Sequence, residues 1–330
     1  MTIQDFVIEV RRDVKEHFSS IGMGDLEVKT TEVVKANDTR VHGLMLIPHG
    51  EPAGRSIYID DLYDRYEDGE SMDVILEEII YRCESGLEAG GPPLGTAMQL
   101  DFENVKSRLT VRLLGVRNNI SYMADRPYID VGCGLALIAV VNCEPSAISE
   151  WVISVTNELM SEHIGCDTET LMTVALKNTM EIEPPLLVNL EDHMYANMVR
   201  PIPVPDYLTQ PVPEDKLSGA FMLSNTSMFQ GSAALFYPGV MEKIADAFGC
   251  GYYVLPSSIH ELIILPDTTE PDVEGLKATV LEANATVISR EDLLAWDVFH
   301  YDPGEGELRI VREKIQERTG CVRESDRTTA

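Results

Sequence analysis

Between Phe221 and Asp267 the chain reads FMLSNTSMFQGSAALFYPGVMEKIADAFGCGYYVLPSSIHELIILPD. Two short runs suited to strands, Tyr252–Leu255 and Glu261–Leu265, flank the turn that opens at Pro256. Ala220–Asn225 and Gly231–Tyr237 read as strands before them. Pro238 suits the first turn of a helix between the two pairs. Its buried face is Val240, Met241, Ile244, Ala245 and Phe248, and Gly249 stops it. Short strand–turn–strand units favour antiparallel pairing over a doubly wound sheet. The expected fold is therefore α+β, a mostly antiparallel sheet packed with helices, in two modules.

The N-terminal module is expected over residues 1–195. Thr2 and Asp5 form a capping pair. Phe6, Val7, Val10, Val14 and Phe18 then recur at helical spacing. Leu26–Val34 and Val41–Pro48 are strands joined at Ala36-Asn37-Asp38, and Arg55–Ile59 is a third. A helix spans Asp60–Tyr66. Another starts at Ser71 with an apolar stripe through Met72, Ile75, Leu76, Ile79, Ile80 and Cys83. A glycine- and proline-rich break at 89–95 is a candidate sub-boundary. Phe102–Val116 fits either helix or strand. Ile129–Val141 is a near-continuous apolar run that reads as one buried strand, with Gly132-Cys133-Gly134 inside it. Trp151–Val155 is a strand candidate and Thr168–Asn178 a helix.

Prolines at 201, 203, 205, 211 and 213 enforce extended chain without those backbone donors. Residues 196–216 thus form an arm between the modules. The C-terminal module covers residues 217–312. A helix begins at Pro271 with Val273, Leu276, Val280 and Leu281 inward. Val287–Ser289 and Trp296–Tyr301 follow as strands, then a hairpin through Pro303-Gly304-Glu305-Gly306. Residues 313–330 form a charged tail.

Composition excludes several functions. The 55 acidic residues against 26 basic ones give a net charge of −29. That argues against direct nucleic-acid binding and against anionic membranes. No apolar run approaches the ~20 residues of a membrane span. The N-terminus lacks the apolar core of a signal peptide, so cytoplasmic residence is expected. Six cysteines without a CxxC pair imply free thiols rather than a zinc site or disulfide framework. The residues imply neither cofactor nor metal. Asp60–Glu88 holds eleven carboxylates opposed only by Arg65 and Arg82. Such a face could mimic nucleic acid, though a solvated helix surface explains it more simply.

Candidate chemistry gathers at Ser257, Ser258, His260 and Glu261. In an extended chain Ser258 and His260 share a face and Glu261 points away. That alternation disfavours a sequential Ser-His-Glu triad. A third member would come from Asn225, Asp267 or Glu242. No GxSxG elbow exposes a nucleophile. HExxH is absent, because Ile264 occupies the second histidine position. The structural reading has the serines bonding the turn backbone and His260 satisfied at a strand entrance. Asn225 is a candidate binding residue or a cap. Tyr63 and Tyr66, one helical turn apart, are candidate partner contacts or half-buried core.

Several stretches together carry a resemblance: HGLMLI with SIYIDDLYDRYEDG, LMTVALKNTM, the segment quoted first, and LKATVLEANATVISREDLLAWDVFHYD. The chain resembles a family of cytoplasmic proteins from gut anaerobes that carries a domain of unknown function. The resemblance implies no catalytic residue, cofactor or substrate. The leading functional reading is a non-enzymatic protein that binds a protein partner. The alternatives are a hydrolase-like enzyme using the PSSIHE turn and an acidic inhibitor that mimics nucleic acid.

Overall fold

The computed structural model describes residues 1–50, 54–88, 100–142, 152–268 and 272–312. The expected break at 89–95, the tail 313–330, Trp151 and Pro271 lie outside the described residues.

The first helix, α1 (Ile3–Ser20), starts as the sequence dictates: Thr2 accepts a hydrogen bond from the Asp5 amide. Its five apolar positions are buried, and each such side chain contributes about 1.5–3 kcal/mol. It lies on an antiparallel sheet of β1 (Glu27–Lys35), β2 (Thr39–Ile47) and β3 (Arg55–Tyr58). Helices α2 (Asp60–Glu67) and α3 (Met72–Glu88) close this core through Leu62, Ile75, Ile79 and Cys83.

A second antiparallel sheet follows the short helix α4 (Phe102–Val105). It contains β4 (Leu109–Gly115), β5 (Tyr128–Gly132), β6 (Leu135–Asn142) and β7 (Val152–Ser154), with helix α5 (Ile120–Met123) after β4. The apolar run expected as one strand is in fact a hairpin. Gly132, Cys133 and Gly134 all take positive φ, at 83°, 55° and 72°. The two glycines adopt that conformation freely, which turns β5 back onto β6. Both β4 and β6 are buried throughout. Helix α6 (Thr168–Ile182) packs on β4.

The largest sheet has the order β13-β12-β10-β11-β9-β8, antiparallel throughout. Its strands are β8 (Pro185–Asn189), β9 (Phe221–Asn225), β10 (Tyr252–Pro256), β11 (Leu262–Pro266), β12 (Phe299–Asp302) and β13 (Glu307–Ile310). Helix α7 (Leu190–Met198) leaves the end of β8. β8 precedes the proline arm and pairs with β9, which follows it, so this sheet runs across the arm. The arm also covers the free edge of β8: the Tyr207 amide donates to Leu187 O, and Asp206 accepts from the Leu187 amide. An edge strand covered in this way cannot pair with another chain.

One face of the large sheet packs on helix α8 (Val240–Phe248) and shares a core with the second sheet, from Val105 to Tyr301. Helix α9 (Val273–Thr286) covers the other face through Val280. Leu281, expected inward, is 52% exposed. Residues 287–289 pass through a turn and a bend and form no strand. Gly231–Phe236 is a tight helical turn instead of the expected strand. The cause is tertiary: the Gly231 and Ser232 amides donate to His260 O and Ile259 O of the PSSIHE turn. The small residues of GSAA allow that close approach to β9.

Candidate functional site

The PSSIHE turn leaves β10 at Pro256 and re-enters the sheet at Leu262. It is not extended, so strand alternation does not govern its side chains. The Ser258 amide donates to Glu261 O at 3.1 Å and closes the turn. The His260 amide donates to Ser258 Oγ at 2.9 Å. Ser257 Oγ donates to Glu261 Oε1 at 3.0 Å. Ser257 and Glu261 therefore meet, whereas the Ser258 hydroxyl is turned onto its own backbone.

The His260 ring is also committed. Its Nδ1 accepts from the Gln230 amide at 3.1 Å. A backbone amide can only donate, so Nδ1 is the acceptor and the ring hydrogen sits on Nε2. Nε2 then donates to Asp292 Oδ1 at 3.1 Å. Phe229 packs against the ring, with centroids 5.1 Å apart. Neither ring nitrogen meets a serine hydroxyl, so Ser258 and the His260 imidazole do not pair.

The carboxylate partner is Asp292, which the sequence reading did not single out. Asp267 pairs with His300 instead, at 2.9 Å. Glu242 is exposed on α8. The turn borders an open depression of about 390 Å³, lined also by Val287, Ile288 and Ser289.

Asp292 is held in place from the other end of the chain. Asn37 has φ 59° and is buried in the turn between β1 and β2. Its Nδ2 donates to Arg290 O, Glu291 O and Leu293 O at 2.8, 3.0 and 2.8 Å. The Asn37 amide donates to Asn119 Oδ1, and Asn119 Nδ2 returns a bond to Asn37 Oδ1 at 2.9 Å. Next to it, Asp38 accepts from the Ser121 and Tyr122 amides at 3.0 and 2.7 Å. Burial pushes the Asp38 carboxyl up, but these amides outweigh it and hold it below the usual carboxylate range. Finally the Ile259 amide donates to Asp292 O at 2.9 Å. One hydrogen-bonded path thus runs from Asn119 through Asn37 and residues 290–293 to the His260 turn.

Asn225 is fully buried. Its Nδ2 donates to Glu183 Oε2 and Phe229 O, while its Oδ1 accepts from Ser227 and Phe229. The amide organises the loop after β9 and has no surface to offer a ligand. Glu183 is buried with Arg112, at 3.3 Å. Burial pushes the Glu183 carboxyl up, against the lowering pull of Arg112 and Asn225.

Tyr63 and Tyr66 are half-buried and pack on Phe6, at 5.3 and 5.5 Å. Several carboxylates of the acidic stretch are paired. Asp60 meets His42, Asp61 and Glu78 share Arg82, Glu70 pairs with Arg65, and Glu84 with His17.

Helix α7 presents a surface that the sequence reading did not isolate. None of its residues is buried. Met194, Tyr195 and Met198 are 50%, 50% and 78% exposed, and Val199 and Ile202 beyond it are 67% and 42% exposed. The side facing the body carries Asp192, paired with Lys216. Leu190, Asp192, His193 and Ala196 are half-buried, while Met194, Tyr195 and Met198 stand exposed beside Glu191 and Asn197. The signal was present as Met194, Tyr195, Met198 and Val199 at helical spacing, but the prolines that follow drew the segment into the arm.

Among the described residues, no group of three or more His, Cys, Asp or Glu side chains could hold a metal ion. Burial pushes the Cys83 thiol up to about 12, and it also raises Cys133, Cys166 and Cys250. These thiols are poor nucleophiles in the folded chain. No helix among the described residues is long and apolar enough to cross a membrane.

The molecule is an α+β protein of antiparallel sheets packed against helices. Residues 3–303 match the model of a family of unknown function (DUF5688), and the chain belongs to that family. No curated protein and no solved structure matches it.

Proposed function

We propose that this chain is a binding protein that acts without catalysis. It holds a protein partner on the outward face of α7 and the extended segment that follows. The observation that carries this reading is the exposure of Met194, Tyr195, Met198, Val199 and Ile202 along one short segment, with Met198 78% exposed. A contiguous exposed apolar surface is costly in water unless something covers it. Methionine and tyrosine are favoured on recognition surfaces, because one adapts its shape and the other anchors. The turn at His260 supports the same reading from the opposite direction. Its imidazole is held by the Gln230 amide and Asp292 rather than by a serine hydroxyl.

The net charge of −29 describes the partner further. A second copy of the chain would be repelled, whereas a partner with a basic rim around an apolar groove would be attracted. The test uses the full chain as bait in extracts of its source cells, alongside the double variant Met198→Asp, Val199→Asp. A protein retained by the wild type is then purified and titrated against both forms. The expected result is at least about a tenfold loss of affinity in the variant, the scale of a truncated interface anchor. Equal affinity for both forms, or no reproducible partner for the wild type, would overturn the reading.

A further inference from the structure

We infer that the depression beside the His260 turn binds an organic cation, an alkylammonium or guanidinium group on an apolar body. This site is separate from α7 and does not depend on it. Its volume, about 390 Å³, falls in the range of small-molecule sites. Phe229 and His260 both line it, with ring centroids 5.1 Å apart. Aromatic rings attract cations through their quadrupoles. Met228 adds a polarisable thioether to the wall.

The polar lining has one sign. Glu261 and Asp292 border the depression, and no Lys or Arg among the described residues lines it. Glu261 uses Oε1 to accept from Ser257, and its Oε2 has no partner among the described residues. Ser258 lines the depression at 3% exposure. Its Oγ accepts one hydrogen bond, from the His260 amide, and donates none among the described residues. A buried hydroxyl with unused capacity, an unpaired carboxylate oxygen and two rings together match a cation that carries N–H donors. An anion would meet two carboxylates and no counter-charge. The source could be a free amine or a basic side chain of another protein, since both offer the same group.

The test is a calorimetric titration of the full chain with three probes. Agmatine supplies a free guanidinium, acetyl-arginine methylamide supplies the same group on a peptide unit, and butylurea supplies the shape without the charge. Saturable binding of at least one cation is expected, with butylurea at least tenfold weaker. Asp292→Asn and Phe229→Ala should each weaken the cation at least tenfold, and Glu261→Gln carries the same expectation if Phe229→Ala does not fold. Asp73→Asn, on the remote helix α3, should leave binding unchanged and so separates the site from general attraction to an acidic chain. Tighter agmatine points to a free amine, and tighter acetyl-arginine methylamide points to a side chain. The proposal is overturned if neither cation saturates, if butylurea binds equally well, or if Asp73→Asn weakens binding as much as Asp292→Asn.

Discussion

At Asn37 a single side chain joins three parts of the chain. Its amide meets the carbonyls of Arg290, Glu291 and Leu293, and its oxygen meets Asn119. The φ of 59° suits asparagine, which tolerates the left-handed region better than most residues. Asn37→Ala takes the donor from the Arg290, Glu291 and Leu293 carbonyls and places at positive φ a residue that tolerates it less well. It should cost about 3–5 kcal/mol, measured by urea unfolding.

Its neighbour Asp38 makes a pH-dependent contribution. A carboxyl whose folded pKa is depressed stabilises the fold above its unfolded value, near 3.8, and loses that contribution as pH falls through the folded value. Asp38→Asn should therefore cost about 1 kcal/mol at neutral pH, the scale of a lost cap. The gap to wild type should close as the solution is acidified below pH 3.8. A gap that stays constant with pH would show that charge plays no part there.

The elements follow from their sequences where periodicity and caps agree. The stripe from Phe6 to Phe18, the Thr2 cap and the hairpin around Asn37 are legible because local pattern and tertiary burial point the same way. Three elements escape such reading. The GCG hairpin hides inside a continuous apolar run, and only the backbone freedom of its glycines marks the turn. The Gly231–Phe236 turn looks like a strand because its residues are apolar, yet its amides are taken by the PSSIHE turn. Helix α7 leaves Met194, Tyr195 and Met198 exposed, so a pattern that expects burial misreads it.

The candidate site was half legible. Ser257, Ser258, His260 and Glu261 do cluster, but Asp292 lies 32 residues from His260 and reaches it only through tertiary packing. Close packing of elements also sets a test. A Cβ on Gly115 would lie 2.0 Å from Leu294 O, where β4 meets the loop that carries Asp292. Gly115→Ala must push the two apart and should cost about 2–3 kcal/mol in chemical unfolding. Unchanged stability would mean that this contact does not hold the loop.

At the scale of the molecule, three sheets and their helices form a scaffold whose polar groups are largely consumed internally. The His260 turn is fixed by the Asn37 junction, and the buried pair Arg112–Glu183 with Asn225 ties β4 to β9. Exposed apolar side chains remain, those of α7 and Val199 among them, on a chain of net charge −29. Association with an oppositely charged partner should slow as salt rises, because screening shortens the reach of that charge. Hydrogen exchange of the chain alone and with its captured partner tests the central claim most directly. The account predicts that residues 190–205 gain protection in the complex. Protection confined to other segments, with 190–205 exchanging as they do in the free chain, would contradict it.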